Sequence, residues 1–275
     1  MVKERLRQLA KIVVMLIVCS LFLGPIVWCL STSLKSPQRI LDYPPRLIPD
    51  EPTLVHYRQL FDTGIQGYIF NSTVVSLFSV VLCLALGALM GYALARFQFR
   101  GKTFIMFSIV ALMSIPLVSL LVPTYSLLAM FGMLNSRFSL ILLYTAYQLP
   151  ITAWLLKGFF HTIPSELEHA AMIDGYSRMQ AMVKILLPLS KTGLVAAGLF
   201  VLVFAWNDFV VALVMTSSEN VRTLPVGIYN YLGFFGREWG PLTAAAMVAI
   251  VPVVAIFLIF QRYFLSGVMT GGMKG

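Results

Sequence analysis

Six stretches of this chain are long and apolar enough to cross a lipid bilayer, and that removes most folds from consideration. A spanning helix needs roughly 20 apolar residues in a row. The stretches run over about 12–30, 69–94, 104–122, 138–156, 194–215 and 242–260, each with few or no charges. They are continuous, whereas barrel strands alternate in polarity over about ten residues. Backbone polar groups in lipid must be satisfied within the segment, which leaves helices. Residues 1–275 therefore read as one all-α domain, a polytopic membrane protein with six transmembrane helices. Composition agrees: 59% of residues are hydrophobic and 11% charged, against about 25% charged in soluble domains. Lys3, Arg5, Arg7 and Lys11 precede the first stretch as they would in a secretory signal. Its apolar run exceeds the roughly 7–15 residues of a signal core, and no small-x-small cleavage site follows. An uncleaved anchor is expected.

Lysine and arginine in the loops set the orientation. One side carries thirteen: Lys3, Arg5, Arg7, Lys11, Arg96, Arg100, Lys102, Lys157, Arg178, Lys184, Lys191, Arg262 and Lys274. The other carries seven: Lys35, Arg39, Arg46, Arg58, Arg137, Arg222 and Arg237. Both termini and the 161–190 segment are expected in the cytoplasm. This asymmetry accounts for most of the net charge of +9, so no nucleic-acid partner is needed. The long outer loop, 31–66, is rich in proline and reads as a packed cap or a docking surface for a soluble partner, with a short helix near 53–61.

Little here points to catalysis. Gly101-Lys102-Thr103 resembles the end of a phosphate-binding loop, but Arg96 stands where the pattern needs its first glycine. The chain is expected to bind no ATP itself. Cys19, Cys29 and Cys83 all fall inside spans, read as buried thiols, and have no zinc-like spacing, so no metal site is expected. Gly87-x-x-x-Gly91 predicts close helix packing. Pro25, Pro116, Pro150 and Pro252 predict kinks. Asp208 is the one ionisable residue deep in a span. With Asn207 it reads either as a contact along a hydrophilic pathway or as a hydrogen-bond anchor between helices.

The stretch Pro164-Ser-Glu-Leu-Glu-His-Ala-Ala-Met-Ile-Asp-Gly175 is a short polar island in this apolar chain. Ser165-x-x-Glu168 has the spacing of a capping box, in which serine and glutamate side chains satisfy each other's backbone amides. Gly175 predicts a left-handed stop. A second amphipathic stretch from Arg178 leads to Pro188 and the fifth span. A small, well-delimited helix of this kind suits either a groove in another protein or a connector on the membrane surface.

Continued through Ile185-Leu-Leu-Pro188, the island resembles the coupling loop of ABC importer permeases, which reads Glu-Ala-Ala, three residues, glycine, and later Ile-x-Leu-Pro. Ala170, Ala171, Gly175, Ile185, Leu187 and Pro188 match. Several stretches resemble the carbohydrate-uptake, maltose-type branch of that family. They are Ser31-Thr-Ser-Leu-Lys35, Asn71-Ser72, Tyr92-Ala-Leu-Ala-Arg-Phe97, Trp206-Asn-Asp208, Arg222-Thr-Leu-Pro-Val-Gly227 and Gly271-Gly-Met-Lys-Gly275. The resemblance implies a type I importer permease fold in a bacterial or archaeal cytoplasmic (inner) membrane. It implies no enzymatic activity of the chain's own and a sugar or sugar-like solute. The implied partners are a second related permease, two copies of an ABC ATPase that holds ATP and Mg, and an extracytoplasmic solute-binding protein. By this resemblance Glu168, His169, Ala170, Ala171, Asp174 and Gly175 form the ATPase-coupling surface. The tail Gly272, Met273, Lys274 and Gly275 reaches the ATPase; in maltose-type systems the partner permease carries most sugar contacts, which weakens a solute-binding role for Asn207 and Asp208. One position departs from the pattern: His169 stands where relatives carry the glutamate that pairs with the ATPase. Glu168 is adjacent, but a capping box would hold it. A self-contained secondary transporter is the competing reading, and it predicts an inverted internal repeat that the chain does not display.

Overall fold

A computed structural model describes residues 2–232 and 238–271. In chain order the helices are α1 (Val2–Ser33), α2 (Val55–Asp62), α3 (Ile65–Arg96), α4 (Lys102–Met113), α5 (Leu117–Met130) and α6 (Arg137–Thr162). Then come α7 (Glu166–Ile173), α8 (Arg178–Ala181), α9 (Leu187–Leu189), α10 (Lys191–Asn207), α11 (Val210–Met215), α12 (Leu224–Tyr229) and α13 (Trp239–Gly271). A π-helical turn, Met182–Leu186, joins α8 to α9. No strand occurs among the described residues.

Among the described residues four helices, α1, α3, α6 and α13, are long and apolar enough to cross a membrane. The third and fifth apolar stretches are not straight spans. The third breaks between α4 and α5 with a bend of 100°. Pro116 sits at that break in extended conformation, and a residue preceding proline is pushed out of helical backbone. The helix preceding the fifth stretch, through α8 and α9, meets α10 at 81°. That stretch then stops at Asn207 and resumes as α11. Pro25, Pro150 and Pro252, by contrast, lie inside unbroken helices.

The chain forms two compact units, 1–66 with 227–252, and 67–226 with 253–275. In the first, the end of α1 anchors the long loop. Ser33 Oγ meets Tyr57 Oη at 2.8 Å, the Thr53 amide donates to Leu34 O at 2.8 Å, and His56 Nε2 lies 2.9 Å from Lys35 O. His56 is buried in α2, the short helix expected near 53–61, and its ring occupies the space a Cβ on Gly240 would need. Leu21 and Phe22 of α1 are each 72% exposed. Such an apolar surface is stable against lipid or apolar protein, not water. Cys19 is likewise exposed on α1 rather than buried, because none of the described residues covers that turn, and Cys29 is half-buried; Cys83 is buried.

The second unit is built around α3 and α6. Gly87 and Gly91 let the two backbones approach: a Cβ at Gly87 would lie 2.6 Å from Thr152 Cγ2, and one at Gly91 3.0 Å from the Lys157 amide nitrogen. One apolar cluster joins α3, α5, α6, α10 and α11 through Val75, Leu128, Tyr144, Ala205 and Val211. A second, formed by Ala88, Tyr92, Phe160, Met182, Leu186 and Ala197, seats the 178–189 segment against α3, α6 and α10.

Candidate functional site

Helix α7 is delimited as its sequence suggests at one end and differently at the other. At its C-terminus Gly175 has φ of +91°. The Tyr176 amide donates to Ala171 O at 3.0 Å and the Gly175 amide to Met172 O at 3.2 Å. These two bonds are the Schellman pattern, which satisfies carbonyls that a helix end leaves free. At the N-terminus Ser165 makes no side-chain cap, so the expected capping box is absent. Ser165 already has helical backbone angles, and its carbonyl receives the amides of Glu168 and His169. The capping box lies instead at the start of α8. The Ser177 amide donates to Gln180 Oε1 at 2.8 Å, and the Gln180 amide to Ser177 Oγ at 3.2 Å.

Glu168 is free of the cap because it is engaged elsewhere. Arg96 Nε donates to its Oε1 at 2.6 Å and the Tyr92 hydroxyl to its Oε2 at 2.9 Å. A further nitrogen of Arg96 donates to Ile163 O at 2.8 Å, at the C-terminus of α6. The side chains of Arg96 and Glu168 are only 12% and 6% exposed. One guanidinium thus ties the ends of α3 and α6 to α7. Phe97 packs edge-on against Tyr92, and Arg178 lies over the Phe97 ring at 5.2 Å.

The expected coupling residues divide accordingly. Glu168 and Ala171 face inward and are buried, whereas His169, Ala170, Asp174 and Gly175 are exposed. The free face of α7 is Glu166, His169, Ala170 and Ile173, at the i, i+3, i+4, i+7 spacing that shares one side of a helix. Ile173 is 86% exposed, and Met179 and Val183 beyond it are about half exposed. Sequence reasoning had not singled out Tyr92, Arg96 or Ile173. The stretch containing Tyr92 and Arg96 was legible only as a family-like segment, and an apolar residue at a polar helix's tip was the available signal for Ile173.

At the opposite end of α3, two other family-like stretches meet. Asn71 Nδ2 donates to Asn220 O at 3.0 Å and to Arg222 O at 2.8 Å, and the Leu224 amide donates to Ser72 Oγ at 2.8 Å. Asn135, in left-handed conformation, accepts on Oδ1 from the amides of Ser217 and Ser218.

Asp208 sits in the break between α10 and α11. Its Oδ2 accepts from the Tyr144 hydroxyl at 2.8 Å and from the Ala212 amide at 3.0 Å, in the first turn of α11. This oxygen therefore stabilises the helix restart and ties it to α6. Asn207 is exposed, with its amide donating to Val203 O. The tail residues Gly272, Met273, Lys274 and Gly275 lie outside the described residues. No cluster of metal-ligating side chains occurs among the described residues.

Residues 83–269 match the family described as the binding-protein-dependent transport system inner membrane component. The chain is 41% identical over 254 residues to the sulfoquinovosyl glycerol transport system permease protein of Agrobacterium fabrum, covering 92% of this chain and 89% of that one. It is 35% identical to the trehalose transport system permease protein of Mycobacterium tuberculosis, covering 91% and 92%. It is 32% identical to the trehalose/maltose transport system permease protein of Thermococcus litoralis, covering 99% of both. The fold is also that of a chain in the crystal structure of a bacterial ABC transporter involved in alginate import, with a TM-score of 0.84 at 21% identity over 95% of this chain and 98% of that one. The chain is a multi-pass inner membrane protein that belongs to the family of binding-protein-dependent transport system inner membrane components.

Proposed function

We propose that this chain is one permease subunit of an ATP-driven importer for a sugar or sugar-like solute, forming half of the pathway beside a second permease. Both termini face the cytoplasm. A solute-binding protein delivers the solute from the other side, and two ATPase subunits hold ATP and Mg. The relatives named for sulfoquinovosyl glycerol, trehalose and maltose transport support the solute class. The observation that carries the coupling role is the free face of α7. It is a short helix held rigidly from behind while Glu166, His169, Ala170 and Ile173 stay exposed. A helix with a small, smooth face and one apolar knob is suited to a groove in a partner.

The inward position of Glu168 bears on the missing charge. Its carboxylate is committed to Arg96 and Tyr92, so it does not replace the glutamate absent at His169. The joint with the ATPase is held mainly by shape, with Ala170 and Ile173 against an apolar groove. Asp208 maintains the break between α10 and α11, and Asn207 is the residue of that pair that faces the pathway.

The test is reconstitution in liposomes with both permeases, the ATPase and the binding protein. Uptake of a labelled disaccharide that requires ATP and every partner is expected. Uptake by this chain alone, without ATP, would establish a secondary transporter instead.

A further inference from the structure

The buried contact among Glu168, Arg96 and Tyr92 takes no part in docking, since it faces away from the free side of α7. Tyr92 and Arg96 are four residues apart and share one face of α3. Between them they hold both carboxylate oxygens of Glu168, while Arg96 also binds the last turn of α6 through Ile163 O. Apolar packing alone lets a short helix slide; short charge-assisted bonds to both oxygens fix position and angle. Helix α3 is a single unbroken helix from Ile65 to Arg96. At 1.5 Å per residue, Arg96 lies about 37 Å along it from Asn71. Asn71 and Ser72 hold the 220–224 segment at that far end. The same rigid helix therefore grips α7 at one end and this loop at the other.

We propose that the Glu168–Arg96–Tyr92 contact is a transmission joint. Glu168 is a positioning residue that passes displacement of α7 to α3, and α3 carries it to the 220–224 segment. This rests on the coupling role proposed for α7, and the test separates the two.

The variants Glu168→Gln, Arg96→Gln, the double variant and Tyr92→Phe are compared in the full reconstituted complex. Three quantities are read: cross-linking of Ala170→Cys to the ATPase, ATP hydrolysis, and solute moved per ATP. Each Gln variant is expected to keep cross-linking and hydrolysis but to lose about tenfold or more in solute per ATP. The double variant should be no worse than the worse single variant, since both remove one contact. Tyr92→Phe, which leaves the charges in place, is expected to lose about two- to fivefold. A spin label at Glu219→Cys should shift on nucleotide binding in the unmodified background and stay still with Glu168→Gln. Unchanged solute per ATP in the Gln variants, or losses that multiply in the double variant, would overturn the joint. If the Gln variants do not assemble, an unchanged ratio in Tyr92→Phe overturns it. No cross-link with native Glu168 and Arg96 defeats the docking role itself.

Discussion

Replacing Gly175 tests whether α7 works by ending where it does. Its φ of +91° costs an L-residue about 1–2 kcal/mol. No atom lies within 4 Å of the position a Cβ would take, so the effect is one of backbone conformation and not of crowding. Alanine also reduces the freedom of the unfolded chain, which offsets about 0.4–1 kcal/mol. The net cost for Gly175→Ala is about 1 kcal/mol, or roughly a fivefold loss in the population with an intact stop. Gly175→Asn should cost less, because asparagine tolerates left-handed backbone. Gly175→Pro should cost ~3 kcal/mol or more, since it forces φ negative and removes the amide that bonds Met172 O. Hydrogen exchange of a peptide spanning 171–178 reads the stop directly through the Tyr176 amide, and solute moved per ATP reads its consequence. Both should follow the order glycine, asparagine, alanine, proline while the chain still inserts. An alanine variant indistinguishable from wild type, or an asparagine variant worse than alanine, would refute the reasoning.

Three further perturbations address the frame. Gly91→Val places a branched side chain against the backbone of Lys157 and Ala153 and should destabilise the α3–α6 pair by about 1–3 kcal/mol or more, measured as a lowered unfolding temperature in detergent; Gly158→Ala, with open space around it, is the control. Asp208→Ala leaves the Tyr144 hydroxyl and the Ala212 amide without their acceptor and should cost about 1–3 kcal/mol, whereas Asn207→Ala should leave stability nearly unchanged and lower transport. Asn71→Ala removes both bonds to the 220–222 carbonyls and should raise hydrogen exchange across 218–224 while α7 is unaffected.

Much of the frame was legible in the sequence because lipid imposes a crude, long-range pattern. Uninterrupted apolar runs mark α1, α3, α6 and α13, and glycines four apart mark the α3–α6 crossing. What the pattern does not carry is where a run breaks. The residues around Pro116 stay apolar on both sides of a 100° bend, so the window reads as one span. Asp208 looks like a charge deep in a helix because the stop at Asn207 leaves no mark in hydropathy. Local signals at the site were mixed. Gly175 announced itself, since few residues adopt its backbone. Ser165-x-x-Glu168 matched a capping spacing by coincidence, and Glu168 went to partners 72 and 76 residues away. Ser177-x-x-Gln180 had the same spacing and formed the box. Side-chain spacing alone does not distinguish a local cap from a distant ion pair.

The central claim is that the free face of α7 sits in the ATPase. The most direct measurement is disulfide cross-linking of Ala170→Cys to a cysteine scanned along the ATPase groove in the assembled, active complex. A cysteine at Ala171 is unsuitable because that position is buried. A cross-link is expected at Ala170→Cys and at Ile173→Cys, and none at Arg96→Cys. Active transport with no cross-link from either α7 position would contradict it.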